Sequence, residues 1–196
     1  MLHVINQYMR LQELVRNTRS YRRFYQDKQI SREDLSELVE LARLSASGSN
    51  KQALKFVILN EKEKCETVFP STAWAGFIKE WDGPAEGERP SAYIVILGDK
   101  EISNSFGVDH GIAAQSIMLG ATEKGFGGCM IASLKREKLK KDLELSGHYE
   151  VLLVLALGYP SEKVVIEEVE NGNIKYWRDE NDVHHVPKRR LDDLIL

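Results

Sequence analysis

A chain of 196 residues, 42% hydrophobic and 29% charged, has the length and make-up of a single globular domain with a core large enough to fold. Its net charge of −3 argues against a general nucleic-acid binder, whose footprint would be basic, and leaves room for local basic sites. Two cysteines, Cys65 and Cys129, make no disulfide framework. Residues 1–10 lack the apolar core of a signal peptide, and the longest strongly apolar run, residues 151–157, is far short of the ~20 needed to span a membrane, so a reducing cytoplasm is the expected setting.

Val4, Tyr8, Leu11 and Val15 fall on one stripe of a first helix, with Asn17 as its stop. Thr18-Arg19-Ser20-Tyr21-Arg22-Arg23-Phe24 follows, a turn or short extended segment with three guanidinium groups in five residues. Arg19 and Arg22 are close enough to converge on one anion if the backbone turns, and an arginine fork suits phosphate; a solvated basic surface is the alternative. Ser31-Arg32-Glu33-Asp34 has the spacing of a helix start, and Leu35, Leu38, Val39 and Ala42 give that helix one apolar face. It ends in the small, polar run 45–50, either a plain connection or a loop that lets backbone approach a ligand.

Residues 56–59 read as a buried strand and 61–68 as a short helix. The irregular stretch 69–90 carries Trp74 and Trp81 and has the length of a lid or binding loop; the indoles would cover a flat ligand or pack beneath the loop. Residues 93–97 form a second buried strand. Residues 107–124 form a helix whose face of Ile112, Ala113, Ser116, Ile117 and Gly120 suits close packing, in the core or at a dimer interface. The run from Gly125 to Ile131 fails the dinucleotide fingerprint, since Met130 stands where glycine is needed, so its glycines more simply close a helix and feed a strand over 129–131. A charged helix (135–143) and the most apolar strand (151–157) come next. Residues 164–169 and 174–177 flank Asn171-Gly172-Asn173, a hairpin signal. Strands alternating with helices give an α/β or α+β domain.

Other chemistries fail on spacing. His110, His148, His184 and His185 make no metal-ligand pattern with two distant cysteines, and adjacent His184 and His185 on an extended arm would point opposite ways. Ser20, Ser47 and Ser133 lack a nucleophile elbow, and Cys129 reads as a small core hydrophobe more readily than as a nucleophile.

Arg19-Ser20-x-Arg22-x-Phe24, the Ser/Asn loop and Pro187-Lys188-x-Arg190-Leu191, in that order, resemble the nitroreductase family over about residues 14–191. The resemblance implies an α+β three-layer sandwich, a central mostly antiparallel sheet flanked by helices, in an intertwined homodimer that binds FMN. It implies that Arg19, Ser20 and Arg22 hold the FMN phosphate and ribityl chain and that Lys188 and Arg190 close on the same phosphate. Arg19 and Arg190, at opposite ends of the chain, would then form one clamp. It further implies that Ser47, Asn50 and Gln52 reach the flavin of the other subunit, and that Met130, Ile131, Ala132 and Ser133 line the isoalloxazine.

The implied activity is reduction of nitroaromatic, quinone or similar flat acceptors by NADH or NADPH through flavin N5, with no protein general acid and with the 74–90 loop bordering the acceptor pocket. An FMN carrier or sensor with little turnover, and an interaction domain with basic patches, are the other readings. Thr18 stands where many relatives have a further Arg, and Ala46 and Ala53 where prolines are common, so one phosphate contact would be weaker or supplied by Arg23, and the Ser/Asn loop more mobile. No segment points to iodotyrosine deiodination or flavin fragmentation. Neither a membrane nor a nucleic-acid partner is expected.

Overall fold

The computed structural model describes residues 10–196. Val4 and Tyr8 of the expected first stripe lie outside that range. Helix α1 (Leu11–Asn17) keeps Leu11 and Val15 exposed, and Thr18 ties its end to the body through Thr122 at 3.0 Å. The arginine-rich segment that follows is extended: Ser20 bridges Gly128 in parallel and Phe24 bridges Pro160 antiparallel. Helix α2 (Arg32–Leu44) starts as its sequence indicates, with the Asp34 N–H donating to Ser31 Oγ at 3.0 Å, and buries Leu35, Leu38 and Ala42.

Strand β1 (Leu54–Leu59) precedes helix α3 (Lys62–Val68), the irregular stretch and strand β2 (Ala92–Asp99). Then come helix α4 (Asp109–Glu123), strand β3 (Gly127–Ile131), helix α5 (Arg136–Asp142) and strand β4 (Tyr149–Gly158). The four strands form one sheet in the order β1-β2-β4-β3, with every neighbouring pair antiparallel. The central β2 is buried along its whole length. Strand β1, expected to be buried, is at the edge, and only Leu59 is fully covered, because an edge strand has a sheet neighbour on one side alone.

Alternation sorts the core onto the two faces of the sheet. Ala92, Ile94 and Ile96 pack with Leu35, Leu38, Ile117 and Leu155, while Tyr93, Val95 and Leu97 pack with Val68, Leu139 and Val154. A bulge shifts the register from Ile96↔Leu153 to Leu97↔Val151, which is why Val151 and Leu153, two apart, serve opposite faces. Helix α4 is a core helix. Its small face packs on α2 so closely that a Cβ at Gly120 would lie 2.2 Å from Leu41 Cδ1.

A second, three-stranded sheet has the order β5-β7-β6, from β5 (Val164–Glu168), β6 (Trp177–Arg178) and β7 (His184–Lys188). The turn at Asn171-Gly172 forms, with φ of 50° and 72° and Asn173 N–H donating to Glu170 at 2.9 Å. Its two arms nonetheless do not pair as the expected hairpin. β7 comes between them, parallel to β5 and antiparallel to β6. The turn fixes the chain reversal but not the partner, and β7 makes contacts on both sides: His185 reaches Glu167 on β5 and Asp179 beyond β6. Pro187 fits this middle strand because the His184 N–H faces β5, so the nitrogen at 187 faces the other side, past the end of β6. Among the described residues, no helix is long and apolar enough to cross a membrane.

Candidate functional site

The extended Arg19–Arg23 segment, the side of β3 and the inner edge of β7 enclose a cavity of about 340 Å³, the outer chamber. Arg19, Ser20, Arg22 and Met130 line it, together with Gln115 from α4, Tyr176, and His184 and Lys188 from β7. Among the described residues, no carboxylate lines it. Arg19 donates from Nη2 to the Val15 carbonyl at 2.7 Å, while its Nε is buried with no hydrogen-bond partner among the described residues. Burial pushes the Arg19 guanidinium below its ordinary value, the response of a cation that lacks an anion.

Arg22 is more committed. It is buried, donates from Nη1 to the Ser20 carbonyl at 3.1 Å, lies 3.1 Å from His184 Nε2, and sets its guanidinium carbon 4.8 Å from the centre of the Tyr176 ring. Its backbone N–H donates to Glu162, as does that of Arg23 at 3.2 Å. The other Glu162 oxygen accepts from Arg178 Nη2 at 2.9 Å, and the Arg178 guanidinium covers Trp81 at 4.3 Å. The Glu162 side chain is 2% exposed, so one buried carboxylate fixes the basic segment against the small sheet. Arg19 and Arg22 thus line the same cavity, but Arg22 is held by protein partners.

His184 is fully buried. Arginine can only donate, so His184 Nε2 accepts and the proton sits on Nδ1. Burial, then Arg22, pushes its pKa from 6.5 to about 4. Its neighbour His185 faces the other way, as strand alternation requires. It lies 3.0 Å from Glu167 and 3.2 Å from Asp179, stacked on Trp177.

A smaller chamber of about 150 Å³, called the inner one because it lies at the end of β3, adjoins the first and is likewise open to solvent. Met130, Ile131, Ala132 and Ser133 line it with Trp74, Ala75 and Gly76, and Arg22, Met130 and Tyr176 border both chambers. Trp74 therefore faces the inner chamber, whereas Trp81 borders neither and packs beneath Arg178. Cys129 is buried at the wall, and desolvation raises its thiol pKa, which suits a core residue.

The remaining expected residues lie elsewhere. Ser47 donates to Asp109 Oδ2 at 2.7 Å, the Gly48 N–H to Oδ1 at 2.9 Å, and the Gln52 N–H to Ser47 Oγ at 3.0 Å. Asn50 and Gln52 take φ near 53°, a left-handed conformation held by this ring of bonds around Asp109. The loop borders a groove of about 320 Å³ with Phe56 and Ala113, outside both chambers. Arg190 is also outside them, its exposed side chain 3.1 Å from Glu168. A cavity of about 300 Å³ near Gln26, Cys65 and Tyr93 holds none of the expected site residues. Asp99, Glu101 and His148 bring possible metal-ligating atoms within 4.8 Å of one another, a tertiary grouping that spacing did not reveal. Asp99 already accepts from Glu101 N–H with Lys55 3.9 Å away, and His148 Nδ1 is 2.7 Å from Ser146 Oγ.

Sequence reasoning missed Tyr176, Gln115 and the anchors Glu162 and Asp109. For His184 the signal was present, since adjacent histidines on a strand must send one ring inward.

The nitroreductase family model matches residues 15–159. An Archaeoglobus fulgidus protein whose name assigns it provisionally as an NADH dehydrogenase/NAD(P)H nitroreductase is 28% identical over 162 residues, covering 79% of this chain and 88% of that one. A nitroreductase family protein from Clostridium novyi NT is 25% identical with a TM-score of 0.65, over 78% of this chain and 87% of that one. A provisionally assigned nitroreductase from Exiguobacterium sibiricum 255-15, solved in complex with FMN, is 19% identical with the same TM-score, over 78% and 89%. The sheet, its flanking helices and the match across residues 15–159 agree: this chain belongs to the nitroreductase family.

Proposed function

We propose that the chain is a single FMN-binding domain, residues 1–196, that acts as an NAD(P)H-dependent oxidoreductase on nitroaromatic, quinone or similar flat acceptors. The observation that carries this reading is the outer chamber: Arg19 and Lys188 from opposite ends of the chain, Arg22 and Ser20 beside them, and no carboxylate among the described residues. A phosphate, with close to two negative charges, suits such a donor set, and the unpartnered Arg19 Nε has a bond to give. Relatives named for NAD(P)H nitroreductase activity and one solved with FMN support the same assignment.

In this reading Arg19 and Lys188 hold the phosphate, Ser20 donates to it or to the ribityl chain, and His184 stays neutral, adding no charge. Ile131, Ala132 and Ser133 bound the ring end. The chemistry a bound flavin supplies is hydride transfer in two half-reactions, from the reduced nicotinamide and then to the acceptor. Arg190 joins the phosphate only by leaving Glu168. The loop of Ser47, Asn50 and Gln52 lies outside both chambers and serves the cofactor of a partner subunit, in a three-layer homodimer that covers the exposed Leu11, Val15, Leu44 and Val108. The setting is the cytoplasm.

The test is direct. The purified protein is expected to be yellow with an FMN spectrum and to bleach rapidly with NADH or NADPH under anaerobic conditions. Colourless protein that takes up no FMN would overturn the reading, and flavin that neither nicotinamide reduces would leave a carrier or sensor.

A further inference from the structure

Away from both chambers, buried polar atoms gather around one cavity. Ser91 Oγ, Tyr93 Oη and Arg89 Nε are each buried with no hydrogen-bond partner among the described residues. All three residues line the cavity of about 300 Å³ beside helix α3, a volume at the lower edge of the roughly 300–1,000 Å³ of ordinary small-molecule sites. Tyr93 is 1% exposed and Ser91 4%. Native folds pair most buried polar groups, so three orphans around one space call for a partner inside it.

The local chain explains their placement. Tyr93 stands on the face of β2 that packs with Cys65 and Val68 of α3, and Ser91, two residues earlier, faces the same cavity. Gln26 Oε1 accepts from the Gly87 N–H at 2.7 Å and the Arg89 N–H at 3.3 Å, which fixes the segment that carries Arg89. The Arg89 guanidinium carbon lies 4.2 Å from the centre of the Phe69 ring, and among the described residues it pairs with no carboxylate. Burial pushes the Cys65 thiol up to about 12 and raises the Tyr93 phenol as well, so both stay neutral. The cavity floor is therefore one cation beside two hydroxyls, and Phe69 and Pro90 supply apolar wall. The exposed Asp27, Glu66 and Glu86, with Lys62, stand at the mouth, where the carboxylates repel a phosphate or a dicarboxylate more than a single charge.

The cavity shares no lining residue with either chamber. Helices α2 and α4, whose ends carry the exposed Leu44 and Val108 assigned to a partner subunit, pack on the opposite face of the large sheet.

We propose that this cavity is a second ligand site, for a small monocarboxylate with a flat apolar body, whose carboxylate oxygens accept from Arg89 Nε–H and from the hydroxyls of Ser91 and Tyr93. The flat body lies against Phe69 and Pro90. The inference does not rest on the FMN reading, and its test runs on the purified chain with or without flavin.

Calorimetric titration with benzoate provides that test. Benzoate should bind with a dissociation constant at or below about 1 mM, and benzyl alcohol, which keeps the ring and lacks the charge, at least about tenfold more weakly. Arg89→Gln should weaken benzoate about ten- to a hundredfold and Tyr93→Phe about tenfold, with the flavin content of both variants as in wild type. Tyr93→Phe removes only an unpaired hydroxyl, so the fold should tolerate it. No heat with benzoate up to about 10 mM would overturn the site and leave water as the partner of the three groups. Benzyl alcohol bound as tightly as benzoate would overturn it too, because the cation would then recognise nothing. So would benzoate binding that perturbs flavin absorption and is unchanged in both variants, which would put the ligand in the chambers instead.

Discussion

The two sheets of this molecule are held by different forces. In the four-stranded sheet, β2 and β4 bury apolar side chains on both faces, and Ile94, Ile96, Leu155 and Leu157 have essentially no exposure. The three-stranded sheet has little of this. Strand β5 has no fully buried residue, and what fixes the sheet is polar: Glu162 with Arg178 and the 22–23 backbone, His184 with Arg22, and His185 between Glu167 and Asp179. Apolar burial is non-directional and tolerant, whereas buried polar groups need every partner in place. The large sheet is therefore the scaffold. The small sheet is a geometrically specified cover that brings Lys188, His184 and Tyr176 over the arginine segment.

Single substitutions on each side sharpen that contrast. Glu162→Ala leaves Arg178 buried without its carboxylate and is expected to cost about 3–5 kcal/mol, concentrated in the small sheet. Leu155→Ala opens a cavity in the scaffold and should cost about 2–5 kcal/mol of global stability. Hydrogen exchange reads the difference. Glu162→Ala should deprotect amides of β5 and β7 while those of β2 and β4 stay slow, and uniform deprotection in both variants would make the two sheets one cooperative unit.

Acid should act on the small sheet first. His184 has its pKa depressed from 6.5 in the unfolded chain to about 4 by burial and by Arg22. Its contribution is therefore fully present above about 6.5 and is lost as pH falls toward about 4. His185 runs the other way. Burial lowers it, but the hydrogen bonds to Asp179 and Glu167 more than reverse this, so its contribution fades as pH rises through its elevated value. FMN release should quicken between pH 6.5 and pH 4, and His184→Gln should flatten that dependence. A profile unchanged by the substitution would assign the acid response elsewhere.

The smallest expected effects compare the two ends of the supposed clamp. A hydrogen bond to a charged group contributes roughly 1.5–3 kcal/mol, so Arg19→Ala should weaken FMN binding about ten- to a hundredfold. Arg190 pairs with Glu168 at the surface, where such pairs contribute about 0–1 kcal/mol, so Arg190→Ala should weaken binding by no more than about fivefold. Equal and large losses, measured by fluorescence titration, would mean that Arg190 leaves Glu168 for the phosphate when the cofactor binds.

The sequence alone determined the elements and much of the site's composition. Periodicity and capping marked α2, and Ser31 caps it as expected. The apolar runs marked β2 and β4, and the ordered Arg/Ser, Ser/Asn and Pro-Lys motifs pointed to the family that the match over 15–159 establishes. These signals are local, carried by neighbours along the chain, so they survive without a fold. Tertiary structure decided the rest. It placed β1 at an edge and β7 between the arms of a turn whose own chemistry is hairpin-like, because a turn sets a reversal and the partner strand is chosen by contacts from distant segments. It put Lys188 rather than Arg190 at the chamber with Arg19, since β7 ends at Lys188 and Arg190, beyond the strand, pairs with Glu168 at the surface. It committed Arg22 to His184, and it set Tyr176 between the chambers, a role that no spacing encodes because it depends on residues about 150 positions apart along the chain.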